Sequence, residues 1–186
     1  AATAHAPVWS GLTPRFVECN PATFNIDVDA VRAAVGPQTK AIVGVHVFGL
    51  PCDIDELQAI ADEAGVPLMF DSAQALGAEY KGQRVGGFGL CEVFSMSPTK
   101  VITAAEGGLL CTTDEAFAGR IRQLRDYGKH PNGMDMEYVG LNARMSELHA
   151  VVARHAMAHA DEYIGHRLDL IEYYSDALAD LPGVRF

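Results

Sequence analysis

Positive charge is scarce in this chain: 14 Lys and Arg stand against 24 Asp and Glu, for a net charge of -10. The cationic residues are scattered singles, so nothing offers the basic patch that a phosphate backbone needs, and nucleic acid is not expected as a partner. Cysteine is sparse as well. Cys19, Cys52, Cys91 and Cys111 are far apart and form no C-x-x-C pair, which removes the usual metal-ribbon and redox motifs and gives a reduced, cytoplasmic compartment as the expectation. No apolar run approaches the ~20 residues of a membrane span, and the first ten residues carry neither a basic nor an apolar signal region, so no membrane association is expected. There is no internal repeat and no low-complexity tract. The chain starts without Met and ends on the apolar, strand-like run Val184-Arg185-Phe186, and both ends read as cut from something longer.

What the 186 residues do contain is a core, with 49% hydrophobic residues in 19.9 kDa, the size of one domain. Short apolar runs at Ala41 to Val45, Val66 to Phe70, Val93 to Met96 and Gly108 to Cys111 have strand length and turn residues around them. Between them lie helical patterns. Asp27 precedes Val28, Val31 and Val35 with Gly36-Pro37 as a stop, and Asp53 with Glu56 predicts a capping box ahead of Leu57 and Ile60. Buried strands alternating with helices predict an α/β fold with a mostly parallel sheet and helices on both faces. In such sheets ligands sit beyond the carboxyl ends of the strands.

From Asn142 the pattern changes. Met145, Leu148, Val152, Ala156, Met157, Ala160, Ile164, Leu168 and Ile171 recur at helical steps, predicting one long helix or two joined near Gly165. The expected division is 1–141 as an α/β domain and 142–186 as a linking helix with the start of a further domain.

Two positions carry chemistry. The strand Pro67-Leu68-Met69-Phe70 ends in Asp71, and Phe94-Ser95-Met96-Ser97-Pro98-Thr99 leads through a proline-set turn to Lys100. Alone, Asp71 reads equally as a helix cap or half of a structural ion pair, and Lys100 as a solvated loop lysine. Together they suit a pyridine aldehyde, because a ring nitrogen needs a carboxylate and an aldehyde needs an amine; the Ser95 hydroxyl could bind a phosphate.

The runs Asp71-Ser72-Ala73-Gln74-Ala75-Leu76-Gly77-Ala78, Phe94-Ser95-Met96-Ser97-Pro98-Thr99-Lys100, Glu106-Gly107-Gly108 and Gly140-Leu141-Asn142-Ala143-Arg144-Met145, with Val45-His46-Val47-Phe48-Gly49, resemble the DegT/DnrJ/StrS family of sugar aminotransferases over essentially the whole chain. The resemblance implies a fold-type-I aminotransferase large domain that binds pyridoxal 5'-phosphate. It implies Lys100 as the Schiff-base lysine and acid-base catalyst, Asp71 at the pyridine nitrogen, Gln74 near the phenolic oxygen and Ser95 on the phosphate. Asn142 would reach the phosphate held by a neighbouring subunit, giving a homodimer with shared active sites, and Arg144 would be a structural or substrate-side contact. The implied reaction moves an amino group from glutamate or glutamine to a keto sugar, nucleotide-linked. A cyclitol ketone as acceptor, or a non-catalytic binding or regulatory module on the same fold, are the alternatives.

The chain departs from the family pattern at Val101, where many members carry Asn, and at Leu90, where many carry Asp. Lys100 argues against the dehydratase branch, which carries histidine there. The family's upstream phosphate-gripping loop and ring-stacking aromatic have no counterpart in these residues. His155 and His159 stand at metal-ligand spacing on one helix face without a third ligand, and Gly86-Gly87-Phe88-Gly89 reads as a turn.

Overall fold

The computed structural model describes residues 1–133 and 135–184. Of the expected run Val184-Arg185-Phe186, the last two residues lie outside that range. In chain order the elements are helix α1 (Ala2–Trp9), α2 (Val28–Ala34), strand β1 (Ile42–Val45), a 3-10 turn (Val47–Gly49), α3 (Ile54–Ala64), β2 (Leu68–Asp71), β3 (Glu79–Tyr80) and β4 (Gln83–Arg84). They continue with β5 (Cys91–Ser95), β6 (Gly108–Cys111), α4 (Glu115–Leu124), α5 (Glu147–Ala158) and α6 (Ala160–Leu178).

The four expected strands form one sheet in the order β1-β2-β5-β6. β1, β2 and β5 run parallel and β6 returns antiparallel to β5. The α/β class and the mostly parallel sheet are as the apolar runs predicted. No helix among the described residues is long and apolar enough to cross a membrane.

Register decides which side chains share a face. Gly44, Phe70 and Glu92 stand side by side, as do Val45, Asp71, Val93 and Leu110. Because successive side chains alternate, Leu68, Phe70, Glu92 and Phe94 point one way and Asp71, Val93 and Ser95 the other. The first face is closed: Ile42, Leu68 and Phe70 pack with Val31 of α2 and Ile54, Leu57, Ile60 and Ala61 of α3. Gly44 is required here, since a Cβ would come within 2.9 Å of the Phe70 ring. On the other face Val93 is 46% and Leu110 37% exposed, so Asp71 sits in a row of side chains that remain open.

Local signals held in part. Asp27 caps α2, its carboxylate accepting the Ala30 N–H at 2.8 Å. The capping box at Asp53 does not form: Asp53 precedes α3 with a ψ of 75° and no side-chain bond to the helix, and Asp55 instead pairs with Lys81. The helix break falls at His159 (φ -110°, ψ 14°), and Gly165 lies inside α6. That break is explained by side-chain competition, as the His159 Nδ1 bonds the His155 carbonyl at 2.9 Å. The β3–β4 hairpin, turning on Lys81 and Gly82 at positive φ, and helix α1 are additions that the apolar pattern did not signal.

Candidate functional site

Asp71 closes β2 at the carboxyl edge of the sheet. Its Oδ2 accepts the Thr3 hydroxyl at 2.5 Å and its Oδ1 accepts the Ala73 N–H at 3.1 Å, a local turn that bends the chain away from the strand. Among the described residues no cation pairs with Asp71, so the ion-pair reading of this carboxylate is not realised.

Gln74 follows in the same turn. Its Oε1 accepts the Phe48 N–H at 3.0 Å, and its amide nitrogen makes no bond to a described residue. This contact ties β2 to the turn after β1, where Phe48 adopts a φ of 55° and Gly49 a φ of 87°. A Cβ on Gly49 would meet the Gln74 carbonyl at 2.9 Å, so glycine permits the approach.

Ser95 and Lys100 belong to the neighbouring strand. Ser95 ends β5 on the Asp71 face, and its hydroxyl is 3.3 Å from that of Ser97. The following loop is pinned from within: the Lys100 N–H bonds the Ser97 carbonyl at 3.0 Å, and the N–H groups of Met96 and Ala104 bond Gly107 and Met96 at 2.8 Å each. Met96, Ile102 and Ala104 are fully buried against Ala156 of α5 and Met145. Lys100 itself is half-buried, and its amine forms no ion pair with a described residue.

Asp71 and Ser95 therefore end the adjacent strands β2 and β5, and Gln74 and Lys100 lie in the segments that follow them. Asn142 does not join them. It is exposed and bridged to Asp126 after α4, and Arg144 pairs with Asp126 at 3.3 Å. The His155 and His159 rings lie 4.5 Å apart at a 43° tilt, and no group of three metal-ligating side chains occurs among the described residues. All four cysteines are free; burial, then the nearby Asp53, pushes the Cys52 thiol up to about 12, so it stays protonated.

Four residues with a bearing on the site were not assigned from sequence: Thr3, His46, Ser72 and Glu92. Thr3 gave no local sign, since it reaches Asp71 across 68 positions. Glu92 did give one, a carboxylate set between Cys91 and Val93-Phe94 in an apolar strand. His46, Ser72 and Glu92 are each wholly buried. Burial pushes the Glu92 carboxyl up, but the His46 ring, the N–H groups of Phe88 and Gly86 and the Ser72 hydroxyl outweigh it and hold it below the usual glutamate range. A carboxyl so depressed adds stability above its unfolded value and loses it as pH falls. The gap in melting temperature between full-length wild type and Glu92→Gln is therefore expected to narrow on going from neutral pH to below the ordinary glutamate range, as scanning fluorimetry would read.

The model of the DegT/DnrJ/EryC1/StrS aminotransferase family matches residues 1–186. The chain is 35% identical over 181 residues to GDP-perosamine synthase of Caulobacter vibrioides, covering 97% of this chain and 49% of that protein. It is 41% identical over 175 residues to the erythromycin biosynthesis sensory transduction protein EryC1 of Saccharopolyspora erythraea, covering 94% and 48%. Among solved structures it is similar to DesI, crystallised in the presence of its TDP-sugar product, with a TM-score of 0.91, 44% identity and coverage of 99% and 47%. The chain thus spans about half the length of the relatives it matches, and its sheet is that of a fold-type-I aminotransferase. It belongs to the DegT/DnrJ/EryC1/StrS aminotransferase family.

Proposed function

We propose that the full-length protein is a pyridoxal-phosphate-dependent aminotransferase that moves an amino group from glutamate or glutamine to a nucleotide-linked keto sugar. The observation that carries this reading is the donor set at one sheet edge. Among the described residues, a carboxylate without a cation and a hydroxyl end adjacent parallel strands, followed by a carboxamide with its N–H groups unused and a half-buried amine without an ion pair. These fit the ring nitrogen, phosphate, phenolic oxygen and aldehyde of pyridoxal phosphate. When bound, that cofactor supplies a ring that accepts electrons from the substrate carbon.

The residues then have separate tasks. Asp71 keeps a proton on the ring nitrogen. Gln74 donates to the phenolic oxygen, with its carbonyl side fixed by Phe48, and Ser95 donates to the phosphate. Lys100 Nζ would be the amine that holds the aldehyde carbon of the cofactor, and the acid and base that would move a proton during the transfer. The burial of Met96, Ile102 and Ala104 supports the loop that carries this amine.

The reading extends to assembly. Residues 1–141 are the cofactor-binding domain and 142–186 the link to the next. Asn142 is exposed and available to a phosphate held by a second subunit, beside Leu141, Val139 and Leu148 at 72%, 101% and 82% exposure, which suits a homodimer with shared sites. The free cysteines suit the cytoplasm. GDP-perosamine synthase and DesI, by their names, make or hold nucleotide-linked sugars, which supports that acceptor class over a cyclitol.

One relative is named a sensory transduction protein, which favours a regulatory module as the second reading. The test is to incubate full-length protein with pyridoxal phosphate, glutamate or glutamine and a panel of nucleotide-linked keto sugars. Amino-sugar formation with matching 2-oxo acid release supports the enzyme; cofactor binding without donor consumption across the panel supports the module.

A further inference from the structure

His46, Ser72 and Glu92 are polar, wholly buried and unused by the chemistry above. They occupy the closed face of the sheet, with Asp71 on the open face at the same strand end. Glu92 Oε2 accepts the Ser72 hydroxyl at 2.9 Å, and Oε1 accepts the N–H groups of Gly86 at 2.6 Å and Phe88 at 2.9 Å. His46 Nδ1 accepts the Cys52 N–H at 3.1 Å, which places the ring proton on Nε2. That nitrogen stands 3.7 Å from Glu92 Oε2, beyond hydrogen-bond length, with no other partner among the described residues. The thiols of Cys91 and Cys111 are the other titratable groups near the Glu92 charge.

The same residues hold the backbone of Asp71 from both sides. The His46 N–H bonds the Asp71 carbonyl at 3.0 Å, and the Ser72 N–H bonds the Val93 carbonyl at 2.8 Å while its hydroxyl is held by Glu92. A buried anion is a poor source of stability compared with an apolar residue of the same size, so its presence points to a geometry it maintains. Every hydrogen bond it accepts goes either to the residue after Asp71 or to the glycine turn.

We propose that Glu92 is a positioning residue for Asp71: through Ser72, and with the His46 ring beside it, it fixes the end of β2 so that the Asp71 carboxylate stays aimed at the cofactor's ring nitrogen. This rests on the reading that Asp71 pairs with that nitrogen. The Thr3 hydroxyl then fixes the carboxylate, and Glu92 fixes the backbone that carries it.

The test uses full-length holoenzyme and follows two quantities, the pH midpoint of ring-nitrogen protonation, by nitrogen NMR of isotopically labelled pyridoxal phosphate, and cofactor dissociation. A carboxylate raises the midpoint of the cation it faces, so Asp71→Asn is expected to lower it strongly. Glu92→Gln is expected to lower it by about one pH unit and to weaken cofactor retention roughly tenfold. Ser72→Ala should move both the same way by less, and it decides the matter if Glu92→Gln fails to fold. If Glu92→Gln and Ser72→Ala lose thermal stability but keep the wild-type midpoint while Asp71→Asn lowers it, the role of Glu92 is structural and the proposal falls alone. If Asp71→Asn leaves the midpoint unchanged, the assignment of Asp71 falls and the proposal with it.

Discussion

Replacing Lys100 by alanine in the full-length protein is expected to abolish multiple-turnover amino transfer. The side chain has two functions in one atom. Under the proposed function, it would be the amine that holds the cofactor aldehyde between turnovers and the general acid and base that moves a proton water moves poorly. The second function alone is worth roughly 10²–10⁴-fold in rate. The fold should survive, because Lys100 contributes only its backbone to the loop, through the bond to Ser97, while Met96, Ile102 and Ala104 supply the buried contacts. The check is a pair of measurements on the same preparations. Wild type should show a visible band with pyridoxal phosphate that borohydride fixes covalently to Lys100, and Lys100→Ala should lose that fixation together with turnover. Retention of many turnovers by the variant would remove Lys100 from the mechanism.

The largest effect on stability is expected at Phe70. It is 1% exposed, one residue before Asp71, and lies in the centre of the cluster formed by β1, β2, α2 and α3. Its ring stacks on His46 with centroids 4.7 Å apart and covers Gly44, which has no side chain to fill a gap. Phe70→Ala should therefore cost about 3–5 kcal/mol, the range for an aromatic removed from a core that cannot collapse. Denaturant unfolding of the full-length protein would measure it. A loss under about 1 kcal/mol would mean that α3 and β1 close the space, contrary to the packing described.

The part of the molecule readable in advance was the part governed by local pattern. Four apolar runs gave four sheet strands because each is short and flanked by turn residues, and Asp27 capped its helix because its carboxylate needs only the amide three residues on. Asp53 has the same local credentials and failed, since its backbone, with a ψ of 75°, is not in the extended conformation that Asp27 has ahead of α2. The antiparallel course of β6 is likewise invisible in Gly108 to Cys111 alone. In the candidate site, Asp71, Ser95 and Lys100 were legible from residue type and order, and Gln74 only through the family resemblance. Thr3 was not, because its contact is made only by the fold, and Glu92 was overlooked although a carboxylate inside an apolar strand is a visible anomaly.

The reversal of β6 has a consequence for how the lysine is held. Antiparallel neighbours need no crossover helix, so β5 and β6 with the loop between them form one hairpin, closed at its stem by the Ser95–Gly108 pair. Its ends are fixed by one ladder, and the loop between them is held by the packing of Met96, Ile102 and Ala104 against Ala156 and Met145. Gly107 in the exposed part of the loop is constrained too, since a Cβ there would come within 2.5 Å of Met145, and a one-residue slip between β5 and β6 would turn Ser95 to the closed face. The hairpin acts as a ruler, setting in whole residues how far Lys100 stands from Ser95 along the chain.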